Sequence, residues 1–189
     1  MLRRSPQPIA TSHRVADGMH SIPVEAFDRM LHEQPLDPET ADTIQQCAQA
    51  AASMLNLDVG ALSPASIIAA IEECLLAMQE GAGPQVPEDD DPSFTLGSLW
   101  GNQLVRALGW QWAVVTFDEQ KDSQAVGVFS PDRALAIYPL HFVWNCLENA
   151  APVTLKLAFV ILTDGTRVPP LPPKTYENVM DHVHLPDAN

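Results

Sequence analysis

The sequence predicts an α+β fold, and three observations predict it. Two strong helical patterns fill the first half of the chain, and short extended segments separated by turns follow Trp110. Between them lies a Gly/Pro-rich stretch that ends in Glu88, Asp89, Asp90 and Asp91. The expected architecture is an N-terminal helical hairpin, then a small antiparallel sheet of about three strands with helices packed on it. The 189 residues favour one domain, or one domain with a helical appendage, and the 46% hydrophobic content supplies a core.

Residues 1–20 mix Pro, Ser and Thr with Arg3, Arg4 and Arg14 and show no period, so they read as a mobile arm. Residues 21–81 read as the helical hairpin segment. It begins with a short helix over 21–34 that places Phe27, Met30 and Leu31 on one face. Asp37-Pro38 then supplies a cap followed by a proline suited to the first helical position. Ile44, Cys47, Ala48, Ala51, Met54 and Leu55 recur at three and four, predicting a helix over 38–57. Ser63-Pro64 repeats the signal, Ile67, Ile68, Ile71, Cys74, Leu75 and Met78 make the second stripe, and Gly81 ends it. The link between them is short, which predicts an antiparallel pair.

Residues 82–93 read as an acidic Pro/Gly linker, and 94–189 as the α+β domain. A third helix is expected over 94–108, with Leu96, Trp100, Leu104 and Leu108 inward and Gly109 as its stop. Three extended segments follow, over 110–117, 124–129 and 134–138, with a Ser-Pro-Asp-Arg turn before the last. Pro139 opens a helix to about Asn149, with Phe142, Val143, Cys146 and Leu147 apolar. Residues 153–163 alternate like a strand yet fit a buried helix, to which the short link and Asp164-Gly165 incline the reading. The run from Val168 to Pro173 is extended, and a short helix over 174–183 closes the chain.

The formal net charge is −14, which repels nucleic acid and anionic membrane surfaces and attracts a basic partner. Cys47, Cys74 and Cys146 are odd in number and form no C-x-x-C pair; two fall on apolar helix faces, as in a reducing compartment. Arginines near the N-terminus have no apolar run behind them, and no run of about 18 apolar residues exists. The expectation is a cytoplasmic protein without a membrane span. Composition sets no oligomeric state.

No cofactor or catalytic fingerprint stands out. The sequence has no P-loop, G-x-G-x-x-G, H-E-x-x-H or G-x-S-x-G. Asp181-His182-Val183-His184 is the one clustered histidine pair. Its spacing does not aim both rings one way, and no further ligand accompanies it, so no metal and no cofactor are nominated. His141 lies five residues from Cys146, off its helical face, so Cys146 reads as packing. Trp100, Trp110, Trp112 and Trp144 read as core before they read as a pocket, with Trp110 and Trp112 on one side of a strand. The binding candidates are the acidic run Glu88, Asp89, Asp90 and Asp91, and the polar face of the third helix, Asn102, Gln103 and Arg106. Arg106 is the sole Lys or Arg between Arg29 and Lys121.

The order L-G-x-L-W-G-x-x-L-V-x-x-L-G-W-x-W, a meander, then Tyr138-Pro139 opening a helix resembles small bacterial domains of uncharacterised activity associated with secretion systems and toxin-immunity loci. The resemblance covers 96–165 and is structural in character. It implies little about activity and transfers no catalytic residue. The leading expectation is a non-catalytic protein-binding protein, such as an immunity-type inhibitor of a basic toxin. The rivals are a small-molecule-binding regulatory domain at the tryptophan-rich region, and an enzyme whose site assembles only in three dimensions.

Overall fold

A computed structural model describes residues 31–84, 91–117, 124–166 and 168–184. The expected arm over 1–20, the Phe27 and Met30 part of the first expected helix, and Glu88 to Asp90 lie outside them. The elements in chain order are β1 (Leu31–Pro35), α1 (Pro38–Met54), α2 (Pro64–Gln79), α3 (Pro92–Leu108), β2 (Gln111–Phe117), β3 (Gln124–Phe129), β4 (Leu135–Ile137), α4 (Pro139–Asn149), α5 (Leu155–Asp164) and β5 (Glu177–Asn178), with a final 3-10 turn over Val179–His182. The class is α+β, with five helices and one five-stranded mixed sheet in the order β1-β2-β3-β4-β5.

The cap signals work as the sequence implies. The Asp37 carboxylate accepts from the Thr40 N–H at 2.9 Å and the Thr40 hydroxyl at 2.7 Å. Those bonds hold its pKa below the usual carboxylate range. Ser63 Oγ accepts from Ser66 N, and prolines follow both caps. Asp91 caps α3 in the same way, so the helix begins at Pro92, two residues before the expected start. Gly109 stops it with φ 68°, the left-handed conformation that a glycine adopts without a Cβ penalty. The ambiguous stretch is a helix, α5, ended by Gly165.

The sheet differs from the expected three-stranded antiparallel meander by gaining a strand at each edge. Leu31–Pro35 is not helical. It pairs antiparallel with β2, Glu33 opposite Val115 and Pro35 opposite Ala113. At the other edge β5 runs parallel to β4, with Leu135 opposite Glu177. The expected helix over 174–183 is therefore a two-residue strand and a single 3-10 turn. Neither edge shows period-two alternation: β1 is polar at its three central positions, His32, Glu33 and Gln34, and β5 is too short to show a period.

The helical hairpin also needs correction. α1 packs principally on α3, and α2 also meets α3, so the two helices meet on a third one rather than chiefly on each other. Buried residues of α1, α2, α3, α4, α5 and the helix-facing side of the sheet form one cluster that includes Leu96, Trp100 and Leu104 of α3. The core thus takes residues from both before position 82 and after position 93. Alternation along the strands sends Trp112, Val128 and Ile137 into this core, and Ala113, Val115, Phe129 and Ala136 to the opposite face. There Phe129 meets the edges of Tyr138 and Tyr176, with ring centroids 6.0 and 5.8 Å away. Glu33 lies beside them, accepting from Arg133 Nε at 2.9 Å and from the Tyr176 hydroxyl at 2.9 Å.

Trp100 and Trp110 are buried and Trp112 is half-buried, as the sequence implies. The Trp100 ring lies 5.4 Å from Phe142. What admits these neighbours is a pair of glycines one turn apart on α3. A Cβ on Gly97 would sit 2.9 Å from Leu140 Cα, and one on Gly101 would sit 2.1 Å from Trp112 Cζ2. α4 and the Trp112 indole both occupy space that any side chain would take.

Two predictions follow from this packing. Gly101→Ala should destabilise the fold by about 1–3 kcal/mol through overpacking. Adding Trp112→Phe should recover part of that loss, measured by urea denaturation of both variants; a double variant that is additive breaks the assigned contact. Glu72 is the second case. It is buried at 9% exposure, accepts the Lys156 N–H at 2.8 Å, and so caps the start of α5 from a neighbouring helix. Glu72→Ala should cost about 1–3 kcal/mol by leaving that donor unpaired. Lys156→Ala should cost at most about 1 kcal/mol, because its ammonium is half exposed and 3.4 Å away. Equal losses would place the stabilisation in the ion pair instead.

Candidate functional site

The polar face of α3 turns out to brace the fold. Asn102 accepts from the Trp112 indole N–H at 3.0 Å and donates to Gln45 at 3.3 Å, so it ties β2 and α1 to α3. Gln103 is buried at 1% exposure and donates to the Leu99 carbonyl one turn back. Arg106 is exposed and donates to the Val59 carbonyl at 2.7 Å, clamping the α1–α2 loop. These three residues are adjacent on one helix, but each has an intramolecular task. Among the nominated acidic residues, Asp91 alone is described. Its carboxylate accepts from the Ser93 N–H at 2.8 Å and from the Ser93 hydroxyl.

Asp91 also stands at the rim of a cleft. The cleft has a volume of about 360 Å³ and is lined by Met78, Pro84, Asp91, Trp144, Leu147 and Glu148. It forms where the end of α2, the start of α3 and the outer face of α4 meet. The geometry follows from sequence spacing: His141, Trp144 and Glu148 recur at three and four on α4, while Val143 and Cys146 point inward. Trp144 is 44% exposed, unlike the other three tryptophans. Its indole stacks on the His141 ring, centroids 5.7 Å apart and planes inclined by 19°. Sequence reasoning grouped Trp144 with the core tryptophans. The signal that separates it is position, one residue off the α4 stripe of Phe142, Val143, Cys146 and Leu147.

This arrangement brings a partly exposed indole and two carboxylates, Asp91 and Glu148, to one concavity. An indole face attracts cations through its quadrupole, and an arginine or lysine head reaching it also meets the carboxylates. Glu88, Asp89 and Asp90 immediately precede Asp91 in the chain and add to the acidic character of this stretch.

Two thiols, Cys74 and Cys146, line no part of this cleft, and burial disfavours their thiolates. Cys146 is fully buried, and burial pushes its pKa up to about 11. Burial raises Cys74 as well. Among the described residues, no group of three or more His, Cys, Asp or Glu is placed to hold a metal ion. His182 Nε2 instead lies 2.5 Å from the Glu177 carboxylate, and Asp181 accepts from Asn178. Among the described residues, no helix is long and apolar enough to cross a membrane.

A pH prediction follows from the raised groups. Burial first, then the charges of Asp181 and Tyr176, pushes the Tyr138 phenol up to about 12. Cys146 and Tyr138 are both raised relative to the unfolded chain, so each favours the folded state while protonated. Their contribution is complete below about pH 8.5 and is lost as pH climbs towards the folded-state values. Urea midpoints should fall between pH 8 and pH 11, and Cys146→Ala should flatten that fall. An unchanged slope in the variant would remove Cys146 from the account.

Comparison of the chain with protein-family models, with curated proteins and with solved structures gives no match.

Proposed function

We propose that the chain is a non-catalytic bacterial protein that acts by binding another protein of basic charge, with an immunity-type inhibitor of a basic toxin or effector as its most concrete form. The observation that carries this reading is the exposed Trp144 on the wall of a cleft rimmed by Asp91 and Glu148. A tryptophan 44% exposed and stacked on an exposed histidine leaves apolar surface in water. Such residues are enriched among those that dominate protein–protein binding energy. The carboxylates select the sign of what arrives. The net charge of −14 supplies the long-range attraction that steers a basic partner in. The resemblance of 96–165 to domains associated with toxin-immunity loci points the same way.

Affinity capture with the products of neighbouring genes, followed by kinetics at two salt concentrations, tests the reading. Association with the partner should slow as salt rises, because charges beyond about 8 Å are screened at physiological ionic strength, while dissociation changes less. Trp144→Ala should weaken binding by a factor of roughly 30 or more, the size of a binding hot spot. Its thermal stability should stay close to that of the parent, since the side chain is outside the core. Glu148→Lys should slow association further. An acidic partner, a salt-indifferent rate or full binding by Trp144→Ala defeats the proposal. Turnover of a substrate by the purified chain defeats its non-catalytic part.

A further inference from the structure

A second concavity shares no lining residue with the acidic cleft. It has a volume of about 570 Å³ and forms between α5, the proline-rich segment over 168–172 and the β4–β5 end of the sheet. Leu135, Ile161, Leu171 and Val183 are among its apolar walls, and Glu177 and His182 supply polar groups. We infer that this cavity is a binding site for a small apolar molecule that carries an ammonium or N–H head group.

Size and chemistry support a small ligand. Such sites span about 300–1,000 Å³ and are mainly apolar, with a few polar groups that orient the ligand. The wall is also pre-formed. Pro169, Pro170, Pro172 and Pro173 fix their backbone φ angles and lack N–H donors, so the segment is stiff and a poor partner for the sheet. A stiff wall that cannot collapse into the gap lowers the ordering cost of binding. The same facts argue against a peptide strand. β5 offers only two residues of edge, and in the facing segment Pro169, Pro170 and Pro172 have no N–H to give a ladder.

The head group follows from charge. The Glu177 side chain is 40% exposed and that of His182 is 66% exposed, their atoms 2.5 Å apart, so this pair is reachable from solvent. Glu177 is an acceptor, and the chain's net charge of −14 disfavours an anionic head. A molecule with its apolar body against Ile161 and Leu171 and a donor towards Glu177 satisfies both ends.

The test uses N-phenyl-1-naphthylamine, a neutral apolar fluorophore with one N–H donor. The purified full chain should enhance its fluorescence saturably, with one site per chain. Ile161→Trp and, independently, Thr175→Trp should each push a bulky ring into the cavity and weaken binding by about tenfold or more. Leu76→Ala, which removes an exposed apolar side chain on α2, should bind the probe like the parent. Circular dichroism and thermal melts verify that each variant is folded, and either folded Trp variant suffices. Dodecylammonium should displace the probe at lower concentration than dodecanoate. No saturable enhancement, or undiminished binding by a folded Trp variant, overturns the site. Displacement by dodecanoate at equal or lower concentration overturns the head-group assignment.

Discussion

The closeness with which α3 admits its neighbours is the constraint on which the rest of this fold depends. Gly97 and Gly101 lie one turn apart, so they share a helix face. One receives the backbone of α4 at Leu140, and the other receives the Trp112 indole from β2. A helix and a sheet are thereby held against the same helix, with Trp100 and Leu104 buried among them. The position of α4 in turn sets its outward face, and so sets Trp144. The acidic cleft is thus a remote consequence of two missing side chains.

Polar side chains complete what this packing begins, mainly at helix ends, where backbone groups lack partners within their own helix. Gln79 donates from one amide to both the Cys146 and Ala151 carbonyls, closing the end of α4. Glu72 serves the start of α5 from α2. On the far face of the sheet, Arg133 joins Glu33, Gln111 and the Ser130 carbonyl. Its own backbone is left-handed at φ 62°, an unfavourable state for a residue with a side chain. Three bonded directions from one guanidinium hold it there.

The five helices were legible to within a few residues because caps and stripes are local, whereas the helix expected over 174–183 is a two-residue strand and a 3-10 turn. Asp37-Pro38, Ser63-Pro64 and Gly109 act over one turn, and the structure uses them as the sequence implies. The central meander was legible for the same reason. The edge strands were not, since β1 and β5 exist only through partners far along the chain. The arrangement of α1 and α2 was hidden too: a short link predicts neighbours, but both helices have a better apolar partner in α3. The candidate site divides along the same line. Asp91 was visible by its charge, whereas Asn102, Gln103 and Arg106 are bound to partners inside the fold: Trp112 and Gln45, the Leu99 carbonyl, and the Val59 carbonyl. Trp144 needed the face of α4 to be known before it could be told from Trp100.

The edge strands carry a consequence for how the molecule assembles. Glu33 bonds Tyr176 across 143 residues of sequence, and β1 finds its partner β2 only after three helices have intervened. During synthesis β1 emerges long before either partner exists. Its hydrogen-bonding groups must wait in water while α1, α2 and α3 gather on the glycine pair. Closing so long a loop is slow, because its entropy is lost before any contact is gained. The polar makeup of Leu31–Pro35 suits that wait: a strand with His32, Glu33, Gln34 and Pro35 is a poor template for pairing with a second chain. Sheet completion is thereby a late step, guarded by the chemistry of the strand that completes it.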